Sequence, residues 1–282
     1  MSLEHFIAFM KMENRSTHTI KQYAYHVDMF LNWLNKPIQQ TTENDLFNYI
    51  QELYQNQHLK TNTINVVVNA IRKYTKIMDV PLKWNTVPIP ATTSDFNPRI
   101  LTKQQVNDIL LTPTNHKHYL MLKTGYYACL RAGELCRLEV NDLVQPTHSL
   151  TVVPEKHGKT TNVPLPKTLV HELQDYIKDK HLTKSNYLFP TRTGSMMNPN
   201  YFSSRIFTPV VKQLKLDCRY HDFARHTRLT QLIMDGYSFE VVNQIARHRN
   251  PAQTLAYITL TGMNLRQLMS PTNRTVYDEV TS

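Results

Sequence analysis

The chain has little cysteine: Cys129, Cys136 and Cys218 in 282 residues. An odd number with no zinc-ligand spacing excludes a disulfide framework and a zinc knot, and the three read as reduced thiols in a cytosolic protein. No apolar run approaches the ~20 residues that span a bilayer, so no membrane helix is expected. The N-terminus, Met1-Ser2-Leu3-Glu4-His5, has no basic stretch followed by an apolar core, so no secretory signal is expected. Internal repeats and low-complexity tracts are lacking too.

What is present is enough to fold. Hydrophobic residues make up 41%, which argues against wholesale disorder. The length suits two domains of ordinary size. The net charge is +10, and it is uneven: residues 1–90 hold 9 Lys/Arg and 7 Asp/Glu, whereas residues 91–282 hold 23 and 15. A basic balance favours an anionic partner, of which nucleic acid is the commonest.

The first third has helical periodicity. After Ser16-Thr17, apolar residues fall at Ile20, Tyr23, Ala24, Val27, Phe30, Leu31 and Leu34, one buried face. Thr42 is an N-cap for a helix through Leu46, Tyr49, Ile50 and Leu53, with Glu43 and Asp45 in its first turn. Ile64, Val67, Val68, Ile71, Tyr74 and Met78 form a third stripe, which Pro81 stops. These predict a helical domain over residues 1–84, without a candidate nucleophile or metal cluster.

Residues 85–98, with Pro88, Pro90 and a Thr/Ser stretch, read as an extended linker. A second domain is expected over residues 99–282. Thr102 caps its first helix, and a long apolar segment runs from Tyr119 to Leu138. Leu150–Val153 and Asn162–Leu165 read as two short strands around a polar turn. Asp235-Gly236 ends one helix, and Asn250-Pro251 starts another. The fold class expected is mainly α with a small antiparallel sheet in the C-terminal domain.

The chemistry lies in the second domain. In chain order it offers Arg131, Lys156, His221, Arg225, His248 and Tyr257, a set suited to metal-free attack on a phosphodiester. Two guanidiniums bind non-bridging oxygens and offset charge developing in the transition state. Arg131 is embedded in an apolar segment, where a charge needs a partner or a ligand, and Glu134 stands one helical turn on. Lys156 lies in the turn between the strands, where its ammonium can protonate a leaving oxygen; Lys159 is the competing choice. Tyr257 needs a base, or positive charge nearby, to become a phenolate. His221 is a candidate base, and His248 a hydrogen-bond partner for phosphate or phenol. His116-Lys117-His118 has no acidic cluster arranged around it and reads as a solvated loop rather than a metal site.

These segments resemble the tyrosine recombinases, the phage-integrase family of DNA breaking and rejoining enzymes. Arg131-Ala132-Gly133-Glu134-Leu135 resembles the family's Arg-x-x-Glu-Leu box. Lys156 precedes Pro164 by eight residues, as the family's lysine precedes the proline of its Val-Pro-Leu ending. His248 and Tyr257, behind Asn250-Pro251, have the spacing of the His-to-Tyr box, although Arg247 stands where the family usually has glycine. The second box departs further. Arg225-His226-Thr227 fits, but Asp222 occupies the usual histidine position and His221 stands one step before it. Either the backbone carries an extra residue, so that His221 still reaches the site, or Asp222 replaces the histidine. The first is preferred, and His226 is assigned to packing or capping.

The resemblance covers nearly the whole chain, from Ser16–Tyr23, which is similar to the opening of the family's core-binding domain. It implies two domains clamping double-stranded DNA at paired sites. It implies a 3′-phosphotyrosyl link at Tyr257, a Holliday-junction intermediate and a homotetramer. It implies no cofactor, neither ATP nor metal, and no membrane. The catalytic set would be Tyr257, Arg131, Lys156, His221, Arg225 and His248, with Glu134 supporting. The tail beyond Tyr257, including Asn264–Met269, would dock on a neighbouring protomer. A cytoplasmic, bacterial or phage-encoded enzyme is expected, of simple Xer-like or transposon-resolvase type. It would serve integration and excision, or resolution of a mobile element or replicon dimer. Two other readings are a DNA-binding protein of the same fold without the chemistry, and a type IB topoisomerase.

Overall fold

Capping chemistry sets where the helices of the N-terminal part begin. The computed structural model describes residues 3–91, 97–154, 159–248 and 250–261. Contacts divide the chain into two units, Met1–Asp95 and Phe96–Ser282. The first unit is built from α1 (Leu3–Met12), α2 (Thr17–Leu34), α3 (Glu43–Gln51) and α4 (Thr61–Ile77). Ser16 caps α2 by accepting from the Thr19 N–H. Thr42 and Asp45 form a reciprocal capping box at α3, satisfying two backbone donors that a helix start leaves open.

The apolar stripes meet inside this unit. Ile20, Val27 and Phe30 of α2 share one core with Ile64, Val67, Val68 and Ile71 of α4. Each such side chain removed from water is worth about 1.5–3 kcal/mol. Phe6 meets Tyr74 edge to face at 5.3 Å, the favoured geometry for an aromatic pair. Val87 is buried in this core and the Pro90 carbonyl accepts from the Asn65 amide, so part of the proline-containing stretch packs on this unit.

The second unit begins with α5 (Lys103–Leu111), capped by Thr102 and Gln105. It continues through α6 (His116–Tyr127) and α7 (Ala132–Arg137). The segment from Tyr119 to Leu138 is therefore not one run. Cys129 adopts a left-handed conformation, φ 51°, and breaks it. His116-Lys117-His118, read as a solvated loop, instead opens α6 under an Asn115 cap.

Three strands follow: β1 (Leu143–Val144), β2 (Ser149–Val152) and β3 (Thr161–Pro164), antiparallel in the order β1-β2-β3. The register pairs Leu150 with Leu143 on one side and with Val163 on the other. The observed β2 and β3 lie one residue upstream of their expected positions, and β1 is additional. Lys156 lies outside the described residues, as does the tail from residue 262 onward. Lys159 is exposed.

Helices complete the unit: α8 (Lys167–Asp179), α9 (Pro199–Tyr201), α10 (Thr208–Gln213), α11 (Arg228–Met234), α12 (Phe239–Ala246) and α13 (Ala252–Thr261). A π-helical turn, Asp222–Thr227, leads into α11. Tyr220, just before it, packs close on α6, where a Cβ on Gly125 would overlap its hydroxyl. Among the described residues no helix is long and apolar enough to cross a membrane.

Candidate active site

The π-helical turn is the local device that sets the site. A π turn bonds i to i+5 and so carries one residue more than an α turn. The Thr227 hydroxyl donates to the Asp222 carbonyl at 2.7 Å, satisfying an acceptor that this turn loosens. Arg225 leaves the turn into the interior of the unit. Its Nη1 donates to the Cys129 carbonyl at 2.7 Å and its Nη2 to the Ala246 carbonyl at 2.6 Å. The break at Cys129 thus matters: it points main-chain oxygens at a buried guanidinium.

Arg131 comes from the same break. It stands at the N-cap of α7, its side chain 28% exposed. Its Nη1 meets Glu134 Oε1 at 2.9 Å, and its N–H donates to Glu134 Oε2 at 2.9 Å. Glu134 is fully enclosed. Burial works to raise its pKa, but the charge of Arg247, the Arg131 N–H and the charges of Arg225 and Arg131 hold it down at about 2. Arg225 lies 3.9 Å from the same carboxylate. Burial, with Arg131 and Arg247 nearby, lowers the Arg225 pKa to about 10, still protonated at neutral pH.

His248 links this cluster to the tyrosine. Its Nε2 lies 3.1 Å from Arg225 Nη2 and its Nδ1 lies 2.8 Å from Thr254 Oγ1. A guanidinium only donates, so Nε2 accepts and the ring proton sits on Nδ1. That proton goes to Thr254, whose hydroxyl donates to Asn243 Oδ1 at 2.7 Å. The His248 ring lies nearly parallel to Tyr257, 12° between planes and 6.1 Å between centroids.

Tyr257 is 3% exposed, on α13, which Asn250 starts by accepting from the Ala252 N–H. Its hydroxyl lies 2.7 Å from His226 Nδ1. Burial raises its pKa to about 12, against the lowering charges of Arg225 and Arg131. His221 packs edge-on to His226, with centroids 4.5 Å apart. Burial first, and neighbouring positive charge with it, lowers His221 and His248 to about 3. Burial likewise takes His226 to about 4. All three rings are neutral at pH 7. Asp222 is turned elsewhere: it accepts from the Arg219 N–H at 2.8 Å and from its Nε and Nη2 at 3.1 Å each.

Comparison with known proteins places this arrangement. The model of the phage integrase family matches residues 99–262, more than half of the chain. The chain belongs to the phage integrase family. It is an enzyme of site-specific recombination, a tyrosine recombinase, as the order of its boxes implied. The N-terminal SAM-like domain of phage integrases matches residues 3–84. A tyrosine recombinase, XerA of Pyrococcus horikoshii, is 26% identical over 269 residues, covering 94% of this chain and 91% of that protein. Among solved structures, the XerH site-specific recombinase bound to difH substrate superposes with TM-score 0.71 at 16% identity, covering 91% of this chain and 81% of that one. The Tn1549 transposon integrase in complex with transposon right end DNA gives TM-score 0.66 at 20% identity, covering 91% and 94%.

Within this tyrosine recombinase, Arg131, Glu134, Arg225, His248 and Tyr257 fall in one cluster, with His221 at its edge. The ring on the phenol is His226, which sequence reading assigned to packing. No periodicity marked it, because a π turn shifts which residues share a face. Arg247 was noted only as a departure from glycine, yet its guanidinium is buried beside Glu134 at 3.0 Å. Thr254 and Asn243 carried no signal, since their role is to orient a side chain rather than to react. Among the described residues no group of three or more His, Cys, Asp or Glu side chains is arranged to hold a metal.

Proposed function

We propose that this recombinase cleaves and rejoins duplex DNA at paired sites through a covalent bond to Tyr257. The observation that carries this is the convergence of two guanidiniums on one carboxylate, beside a histidine-bound phenol. Arg131 and Arg225 hold the scissile phosphate and offset the charge that grows on it. The Tyr257 oxygen attacks phosphorus, its proton passing to His226 Nδ1, 2.7 Å away. A tyrosine–phosphate bond forms as the phosphorus–O5′ bond breaks. Lys156 supplies the proton to the departing 5′ oxygen. A 5′ hydroxyl from the second strand reverses the step, so the energy of the broken bond is conserved.

His248 holds Arg225 in place and packs the nucleophile. His221, four residues before Arg225 across a turn with an extra residue, backs His226, while Asp222 is engaged by Arg219. That geometry supports the extra-residue reading of the second box. Glu134 supports both arginines. The N-terminal unit, residues 1–84, clamps the duplex, and residues 85–98 connect it to the catalytic domain. A homotetramer carries two sites through a Holliday junction, with the tail beyond Tyr257 docked on a neighbour. Integration, excision and resolution use the same chemistry in a cytoplasmic, bacterial or phage setting.

The test is a gel assay for SDS-resistant protein–DNA adducts in EDTA. It uses supercoiled DNA from the gene's flanking region and nicked suicide substrates. The expected result is an adduct with wild type that is lost in Tyr257→Phe. Specific binding with no adduct on either substrate would leave a DNA-binding protein without the chemistry.

A further inference from the structure

Arg247 is a buried charge that the proposed reaction leaves unused. It ends α12 in the left-handed region, φ 54° and ψ 37°, a conformation that favours glycine. A long cationic side chain is an unexpected occupant, and it does not turn to solvent: it is 0% exposed. Enclosing a guanidinium is unfavourable unless its charge is paired and its donors are used. The charge is paired and both terminal nitrogens are used, although Nε has no hydrogen-bond partner. Nη1 donates to the carbonyls of Ile245 at 2.7 Å and Ala128 at 3.2 Å. Nη2 donates to the Cys129 carbonyl at 2.7 Å and to Glu134 Oε2 at 3.0 Å.

These partners overlap with those of Arg225. Both guanidiniums donate to the Cys129 carbonyl, Arg225 at 2.7 Å. Both face Glu134 Oε2, Arg247 at 3.0 Å and Arg225 at 3.9 Å. One carboxylate therefore stands among three arginines, and Arg247 is hydrogen-bonded to it while Arg225 is paired with it only at longer range. With glycine at this place Glu134 would have only Arg131 and the more distant Arg225 to balance it. An anion approaching Arg225 would then meet an under-compensated carboxylate behind it. With Arg247 present, that carboxylate is already matched.

We propose that Arg247 is a positioning residue, which shares the Glu134 carboxylate with Arg131, one on Oε2 and the other on Oε1, and so leaves the charge of Arg225 free to bind the scissile phosphate. This rests on the reading of Arg131 and Arg225 as the phosphate site. The cluster then presents three positive charges and one negative to a phosphodiester, where a glycine-bearing site presents two and one.

The test measures anion binding without requiring cleavage. Tungstate, a tetrahedral oxyanion, is titrated against the full chain, and its dissociation constant is taken from the rise in thermal midpoint. Arg131→Ala serves as the control that locates the anion. Arg247→Gly is expected to bind tungstate about tenfold more weakly, the size of one pKa unit of charge interaction. Arg247→Lys, which keeps the charge but not the fork, is expected to fall between. The discriminating variant is Arg247→Gly with Glu134→Gln. Removing the carboxylate's charge while keeping its acceptor oxygen is expected to restore affinity, and with it the rate of adduct formation on nicked DNA. Loss of packing alone would not be rescued in this way. Equal tungstate affinity in wild type and in folded Arg247→Gly and Arg247→Lys variants, or failure of Glu134→Gln to rescue, overturns the proposal. No tungstate binding by wild type, or binding unchanged in Arg131→Ala, overturns the phosphate-site reading beneath it.

Discussion

Among the described residues of the first unit, the buried polar side chains, tyrosines aside, are Thr41 and Thr75. The second unit encloses Glu134, Asp222, Arg225, Arg228, Gln231 and Arg247. Both have sizeable apolar cores, so the contrast is not one of hydrophobic content. A buried ion cluster is weak support for stability, because taking charges out of water offsets most of their attraction. The first unit is organised to stay folded and present a surface. The second holds charge in a buried interior, where electrostatic interactions are stronger than in water.

The contrast can be broken at Glu134. Glu134→Ala leaves Arg247 and Arg225 buried with no carboxylate between them, and is expected to destabilise the protein by about 3–5 kcal/mol in denaturant unfolding. A loss below about 1 kcal/mol would mean that carbonyls alone satisfy the arginines. Arg225→Ala is expected to slow adduct formation on nicked substrates by roughly 10²–10³-fold, the range for removing one preorganised donor. A rate near wild type would move the phosphate away from this interior.

Acid sharpens the comparison. His221, His226 and His248 have folded pKa values of about 3, 4 and 3, below the ~6.5 of an unfolded histidine. Between these limits the unfolded chain binds more protons, so stability rises with pH across that window and is lost as pH falls through it. The three rings are expected to keep neutral-imidazole ¹⁵N shifts below pH 5. Titration of any of them near 6.5 would show that the interior is wet. The smallest effect is expected in the first unit. Arg15, Arg72 and Lys76 line a hollow of about 310 Å³. Lys76→Ala is expected to reduce the slope of log affinity against log salt by about one for a phosphate contact, with the cleavage rate at saturating DNA unchanged.

Much of the frame could be read from the sequence because it is written in local chemistry. Ser16, Thr42 and Thr102 cap the helices they precede, and the stripe from Ile64 to Tyr74 is the buried face of α4. Strand positions came one residue late, and the two-residue β1 is too short to carry a pattern. The break at Cys129 was invisible, because a left-handed residue other than glycine or asparagine gives no sign of itself. Arg131, Arg225, His248 and Tyr257, which are proposed to act on the phosphate together with His226, were legible from order and spacing. His226, Arg247 and Thr254 were not, since each is defined by what it touches across the fold.

Of the groups that hold Arg225 and Arg247, four are main-chain oxygens, those of Ala128, Cys129, Ile245 and Ala246. A carbonyl is supplied by every amino acid. Side chains at these positions can therefore drift as far as packing permits, with the left-handed backbone at 129 as the one added restriction. That part of the arginine pocket is inherited through the path of the chain rather than through residue identity, and it would leave almost no trace in a comparison of sequences.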